Sequence, residues 1–241
     1  MKFNDTSSKT GICQDIDFMC HTDTTSYPLK DKARNVNTWY RKSVSWIREC
    51  HGDWEYDDSN LSTSTDYPTA LPIWTTKLVA NTQSYTLPST AQKVERVEVL
   101  DDEANYQIVS PIDKEQITDE AMSEFEETAG LPKYYDMVGA LVVLYPKPGA
   151  SFITTTSGLK VYVARDIDEF HSTDTTQEPG FVSNFHRILS LGGAFDFEED
   201  PTKKNYLLAQ IRDLRTEIKE FYSTRHKDFR NIIQPYRTDY R

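Results

Sequence analysis

Cysteine and histidine are neighbours at two places in the chain, and this combination of residues can ligate zinc. Cys20-His21 and Cys50-His51 are the adjacent pairs, and Cys13 precedes the first of them. Structural zinc sites usually take their ligands from tight pairs with about two to four residues between them, and this sequence has no such pair. Three cysteines cannot complete a disulfide framework, and they are typical of a reducing compartment. We therefore expect free thiols, no metal and no cofactor.

Closely spaced carboxylates are the second candidate for chemistry, because they can bind a divalent cation or act as acid and base. They form three groups: Asp15 with Asp17, Asp101 with Asp102, and Asp166 with Asp168 and Glu169. In a chain with 38 acidic residues, groups of this kind arise by chance and are typical of a solvated surface. A glycan-cleaving enzyme that uses two of these carboxylates stays open as an alternative.

Motifs of the common enzyme classes do not occur in the sequence. Among nine glycines there is no GxGxxG, no GxxxxGK[ST] and no GxSxG, and none of the five histidines belongs to an HExxH pair. Four tryptophans could line a sugar-binding face, so a carbohydrate-binding module is a further alternative, although core packing is the simpler role for Trp39 and Trp46. We predict that the protein is not an enzyme.

Three segments have apolar residues at steps of three and four, which predicts three amphipathic helices. The first begins at Pro28 and ends at Gly52, and the second covers the segment from Phe181. The third begins at Asp200-Pro201, a good helix start, and ends near Arg225. Its apolar seam is longer than a small bundle needs, so we expect four of its residues to contact another molecule. These are Leu207, Ile211, Leu214 and Ile218.

Between the first two helices the pattern changes to short apolar and β-branched runs separated by turn residues. In VERVEVL the alternation is imperfect, which predicts a strand with a bulge, and ALVVLY is apolar throughout, which suits a strand covered on both faces. The fold class that follows is α+β, a three-helix bundle of one N-terminal and two C-terminal helices with an inserted antiparallel β-sandwich-like module. Extended arms are expected at both ends.

The predicted organisation has five parts. They are an N-terminal arm at 1–26, the first helix at 27–52, a β-rich module at 53–180, two helices at 181–225 and a C-terminal docking tail at 226–241. The first part is rich in Ser, Thr and Asp and should be ordered only where something holds it. It lacks the apolar stretch of a secretory signal, and no apolar run in the chain reaches the roughly 18 residues of a membrane span, so we expect a soluble protein.

Charge is divided unevenly along the chain. From Arg225 to the end, five Lys and Arg against two Asp and Glu give a charge of +3. Because the whole chain has a net charge of −11, the part before Arg225 carries −14. Such a body repels duplex DNA. The tail instead mixes arginines with large apolar side chains, which are suitable anchors for a partner. We expect binding through Phe229, Arg230, Ile232, Ile233, Tyr236, Arg237 and Tyr240.

Four segments, in this order, resemble the head-to-tail adaptor proteins of tailed bacteriophages. The first helix has an Asn-aromatic pair and ends at Gly-x-Trp, in YPLKDKARNVNTWYRKSVSWIRECHGDWEYDDSN. A strand block with Tyr-x-Leu-Pro and a closing Pro-x-Asp follows, in QSYTLPSTAQKVERVEVLDDEANYQIVSPID. Next come a Gly-x-Pro-x-Tyr-Tyr segment and a strand closing on Leu-Tyr-Pro-x-Pro, in GLPKYYDMVGALVVLYPKP. The last is a helix with a histidine after a proline, in EPGFVSNFHRILSLGGAF.

This resemblance covers residues 27 to 225 and implies a structural protein of the virion. Adaptors of this kind form a ring, commonly of twelve copies, at the portal vertex. The resemblance thus implies that the seam residues Leu207, Ile211, Leu214 and Ile218 are ring contacts. The implied partners are the portal protein, a tail or second neck protein and further copies of the chain, while DNA passes through the channel without specific binding. Assembly would take place in the cytoplasm of the bacterial host. A more distal neck or tail protein of the same fold stays open.

Overall fold

The computed structural model describes residues 1–50, 72–113, 123, 127–152 and 157–224. Within these ranges the chain has four α-helices. They are α1 (Ile12–Cys20), α2 (Leu29–Cys50), α3 (Arg187–Phe197) and α4 (Pro201–Thr224). None of the helices among the described residues is long and apolar enough to cross a membrane. The predicted docking tail and the first part of the predicted β-rich module, up to residue 71, lie outside the described residues.

The described residues also contain nine strands. They are β1 (Ile73–Thr76), β2 (Ser84–Thr86), β3 (Ala91–Leu100), β4 (Tyr106–Pro111), β5 (Ala129–Gly130), β6 (Tyr134–Val138), β7 (Leu141–Tyr145), β8 (Lys147–Pro148) and β9 (Leu159–Arg165). The α+β class is therefore confirmed. Short 3₁₀ turns lie at Ala150–Phe152 and Ser183–Phe185.

Seven of these strands form one sheet in the order β1-β9-β3-β4-β6-β7-β2, and β5 pairs with β8 separately. Val161 of β9 and Tyr85 of β2 belong to the same hydrophobic core although their strands lie far apart in that order, so the sheet curls around its core. The expectation of a wholly antiparallel module is wrong at two places, because β4 pairs with β6, and β5 with β8, in parallel. Parallel pairs need a long connection rather than a hairpin, and more than twenty residues separate Pro111 from Tyr134.

The predicted bulge in the VERVEVL strand is confirmed. β3 pairs antiparallel with β9, and the register shifts twice, between Ala91 and Lys93 and between Val94 and Arg96. The prediction for ALVVLY is also confirmed, because consecutive side chains of β7 from Val142 to Tyr145 are all buried. Successive residues of a strand point to opposite faces, so β7 is covered on both.

The four helices form a second layer, in which α3 is the central element. It contacts α1, α2 and α4, and α2 also contacts α4. Gly192 and Gly193 lie directly against Trp39 and Val36 of α2 and against Ile16 of α1. Any side chain at these two positions would overlap its neighbours, so the glycines set the distance between the helices.

The N-terminal segment differs from its prediction. Residues 1–26 are not an extended arm, because they contain α1 and bury Phe3, Ile12 and Ile16 completely. The ring of Phe3 stacks on Phe170 with 4.9 Å between ring centroids, and backbone hydrogen bonds join Phe3 to Gln177 and to Cys13. The segment is therefore held by the chain's own helical layer, which contains four helices among the described residues rather than the predicted three.

Candidate functional site

The first carboxylate group, at Asp15 and Asp17, lies on α1. Asp17 forms an ion pair of 2.6 Å with Lys32 of α2, whose side chain is completely buried. Removing either partner would leave an uncompensated charge in or beside the helical core. Asp17 thus joins α1 to α2.

The carboxylates of the other two groups form hydrogen bonds and ion pairs that stabilise loops. Asp101 accepts hydrogen bonds from the side chain of Gln107 and the backbone of Asn105 and Glu103, and these lower the pKa of its carboxyl. Asp101 therefore shapes the turn between β3 and β4.

In the segment after β9, the carboxylates of Asp166 and Glu169 form ion pairs with Arg41 of α2, and Asp168 accepts a hydrogen bond from Gln177 at 3.0 Å. These contacts fasten the chain where it returns from the sheet to the helical layer. Ile167 and Phe170, which the sequence places in the β-rich module, are consequently part of the helical core.

The cysteines are free thiols in the structure. Burial raises the pKa of the Cys13 thiol to about 12 and that of Cys20 to about 11, so both are protonated and poorly nucleophilic at neutral pH. Within the described residues, no group of three or more His, Cys, Asp or Glu side chains is placed to hold a metal ion.

His186 is a buried base at the start of α3. Its Nδ1 lies 2.7 Å from the Met1 ammonium and its Nε2 lies 2.7 Å from the carbonyl oxygen of Phe181. An ammonium only donates and a carbonyl only accepts, so Nδ1 accepts and Nε2 carries the proton. Burial lowers the pKa of His186 to about 4. The neutral ring therefore connects the N-terminus to the start of α3.

Next to His186, Arg187 is exposed and lies where three clefts of the helical layer meet. We call the surface that these clefts form the helical-layer groove. Its largest cleft, of about 840 Å³, lies beside α1 and includes Phe18 and Asp15. The other two lie along α4 and include Tyr206 and Leu214. The groove thus separates α1 from α4 above the first turn of α3.

A second feature of the helical layer is the outer face of α2, which we call the α2 stripe. Its exposed bases are Lys30, Arg34, Arg41 and Lys42. α2 as a whole has six Lys and Arg against two Asp and Glu, which gives +4 in a chain of net −11. Lys42 stacks over the ring of Trp39 at 4.1 Å, and Arg34 pairs with Asp31 at 3.5 Å. The stripe is consequently a basic surface on an acidic protein.

The predicted ring-contact residues of α4 lie mainly inside the chain. Leu207, Ile211 and Ile218 are buried in the helical core, and Leu214 is partly buried against it. The length of the seam is therefore accounted for by contacts with α2 and α3. Leu207 and Leu214 also border the helical-layer groove. The predicted partner-binding residues of the tail, from Phe229 to Tyr240, lie outside the described residues.

Sequence reasoning did not single out Phe18, Tyr206 or Arg187. The signal was present, because Phe18 and Tyr206 are large rings that do not share the apolar face of their helices, and they are 79 % and 66 % exposed. An aromatic residue outside the buried face of an amphipathic helix is a candidate for contact with another molecule.

Comparison with known protein families gives one match, which covers residues 28–231 and is described as SU10 adaptor protein. The chain belongs to this family. The match includes α2, the strands, α3 and α4, and so most of both layers. No curated protein matches the chain significantly.

Membership of the SU10 adaptor protein family makes this chain a phage structural adaptor and a component of the virion. The resemblance to phage adaptors is thus confirmed at that level. An adaptor of this family interacts with other head and tail proteins of the phage, which directs attention to the surfaces of the helical layer and the sheet rather than to a catalytic pocket.

Proposed function

We propose that this SU10-family adaptor occupies the head-to-tail position in the particle. It forms a ring, commonly of twelve copies, that joins the portal to the tail or to a second neck protein and surrounds the channel through which the genome is ejected. The observation that carries this proposal is the family match, which spans residues 28–231.

Charge supports the role of the ring as a channel. The chain before Arg225 carries −14, so a DNA strand that passes it is repelled rather than retained. A wall of this kind holds no specific nucleic-acid contacts, which suits a passage that the whole genome must traverse.

Docking on the portal is assigned to the tail at 226–241. Its apolar anchors Ile232, Ile233 and Tyr236 can insert into a partner, while Arg230 and Arg237 can pair with carboxylates. The family match extends to residue 231 and so includes Phe229 and Arg230. Ring contacts are assigned to the helical layer, where Leu207 and Leu214 of the seam border an open groove.

Mixing the purified chain with the portal and measuring the mass of the complex by sedimentation velocity tests this function. The full chain should sediment with the portal as a defined multimer. A chain that lacks Asp228 to Arg241 should keep its circular dichroism spectrum and lose the docking. A matched control, with Arg230 and Arg237 changed to Gln and every apolar anchor kept, should dock more weakly but still dock.

Two outcomes would count against the proposal. Docking that is unchanged by the truncation would reject the role of the tail. A full chain that ignores the portal but binds an isolated tail-tube or neck protein would place it further down the tail, which is the second candidate position.

A further inference from the structure

We propose that neighbouring copies of this chain contact each other head to tail, with the α2 stripe of one copy seated in the helical-layer groove of the next. The inference rests on the proposed ring and specifies the two surfaces that close it. The partner that it names for the groove is therefore a second copy of this chain.

The two surfaces lie on opposite sides of the helical layer. α3 is contacted by α1, α2 and α4. α2 is joined to α1 through Lys32 and Asp17 and packs directly against α4. The sector around α3 that stays open is the one between α1 and α4, which is the groove, and it lies across α3 from α2. The outward face of α2 consequently points away from the groove.

This arrangement suits a ring and not a simple dimer. A two-fold dimer uses the same patch on both copies, whereas a ring needs two different patches that fit each other. When those patches lie on opposite sides of one layer, each added copy presents a fresh groove to the next one. The ring then closes if the rotation from one copy to the next adds up to a full turn.

The composition of the groove is that of a contact surface. Phe18 and Tyr206 are exposed rings on its two walls, and Arg187 lies between them. Aromatic residues and arginine carry much of the binding energy at protein interfaces. The carbon chains of Lys30 and Arg34 can cover such rings while their charged ends stay near the rim.

Charge complementarity favours α2 as the occupant. Five carboxylates line the three clefts against three basic side chains and the Met1 ammonium, which leaves −1. The carboxylates are Asp15, Asp17, Glu198, Asp213 and Glu217, and the bases are Lys9, Arg187 and Lys203. The α2 stripe presents four exposed bases, whereas Lys32 of the same helix is buried against Asp17. Asp213 and Glu217, which lie one turn apart on α4, have no ion pair among the described residues and can meet incoming bases.

A charge-swap experiment tests the pairing of these surfaces. The first variant has a reversed stripe, with Lys30→Glu and Arg34→Glu. The second has a reversed groove, with Asp213→Lys and Glu217→Lys. Each variant alone should stay monomeric under conditions in which the unmodified chain forms rings on the portal, because like charges then face each other at every contact. Asp102→Lys, an exposed reversal in the turn between β3 and β4, is the control and should leave the rings intact.

An equal mixture of the two variants gives the decisive result. Every contact in an alternating ring joins opposite charges again, so the mixture should form rings with an even number of copies. The proposal would be overturned if either variant alone formed rings. It would also be overturned if the mixture formed no rings while both variants kept the melting temperature of the unmodified chain.

If a variant does not fold, carbodiimide cross-linking replaces the charge swap. It is applied to unmodified rings that contain equal amounts of ¹⁴N and ¹⁵N chains. Mixed-isotope links from Lys30 or Lys42 to Asp213 or Glu217 are expected, and links confined to other surfaces would refute the pairing.

The same measurements distinguish failure of the surface pairing from failure of the proposed head-to-tail function. If the unmodified chain docks on the portal and forms rings that the charge swap does not disturb, only the pairing of surfaces is wrong. If the unmodified chain neither docks nor forms rings, the proposed head-to-tail function fails and the pairing fails with it.

Discussion

The helical layer and the sheet have cores of different character. Phe3, Tyr40 and Phe170 stack in the helical core, which also contains the buried ion pair of Lys32 and the neutral ring of His186. The sheet core is mostly valine and leucine, and Tyr85 is the only buried ring assigned to it among the described residues. Aromatic and polar groups need specific partners, whereas valines need only a pleated surface. The helical layer is thus the part whose geometry is closely specified.

The two regions also differ in how the chain builds them. The strands of the sheet come from one continuous insertion, while the helical core extends from Phe3 to Tyr222 and so needs both ends of the described chain. The helical layer is therefore complete only when both ends of the described chain are in place.

Replacement of Phe3 by Ala should cause the largest loss. The side chain is completely buried and stacks on Phe170, so the free energy of unfolding should fall by about 4 kcal/mol. Urea unfolding followed by circular dichroism measures it. Phe18→Ala, on the exposed face of α1, is the control and should change the free energy of unfolding by less than about 0.5 kcal/mol. Equal effects of the two changes would mean that the N-terminal segment is not part of the core.

Acid should weaken the helical layer through His186. Its folded pKa of about 4 lies below the ordinary value of about 6.5, so the unfolded chain takes up a proton at a higher pH than the folded chain does. Stability is full above about pH 6.5 and falls as the pH decreases toward 4, by about 3 kcal/mol from this residue. His186→Gln should remove this part of the pH dependence, and the exposed His171→Gln should not. Identical pH profiles for His186→Gln and the unmodified chain would contradict the assignment.

A methyl group at Gly192 should be far more costly than one in the sheet region. The Cβ of Gly192→Ala would overlap the ring of Trp39, and overpacking of this kind costs about 2 kcal/mol. Gly130→Ala is the comparison, because its nearest described neighbour, Pro146 Cγ, would be at an ordinary 3.5 Å. Thermal unfolding of both variants checks the difference, and a melting temperature unchanged by Gly192→Ala would show that the helices can move apart freely.

The smallest effect is expected on the outer face of the sheet. Arg96 and Glu98 of β3 form an ion pair of 2.9 Å in which the arginine is about half exposed. Glu98 itself is 13 % exposed and also accepts a hydrogen bond from the Tyr162 hydroxyl. Glu98→Gln should cost about 0.5 kcal/mol, since solvent screens the exposed guanidinium of the pair and the amide oxygen can still accept the Tyr162 hydrogen bond. Repeating the unfolding measurement at 1 M salt should abolish the difference. A cost that persists at high salt would indicate a more specific role for this face.

Much of the helical layer could be predicted from the sequence because its signals are local. The step pattern and the Asp200-Pro201 start place α4 at Pro201–Thr224, and Pro28 places the start of α2 at Leu29. The apolar spacing of Ile12 and Ile16 was too short to distinguish a packed helix from an extended arm.

Features that depend on distant partners could not be predicted in this way. Phe3 is ordered by Phe170, and the parallel pairing of β4 with β6 is set by a connection rather than by either strand. The groove exists only because α1 and α4 both pack on α3 and leave a sector open. Such a surface depends on three helices together, so no single segment of the sequence predicts it.

The most direct test of the head-to-tail role is an electron cryomicroscopy reconstruction of the neck of particles that contain this chain. The account predicts a ring of this α+β fold, with the tail at 226–241 in contact with the portal. A reconstruction in which the chain lies only further down the tail, with a different protein against the portal, would contradict it.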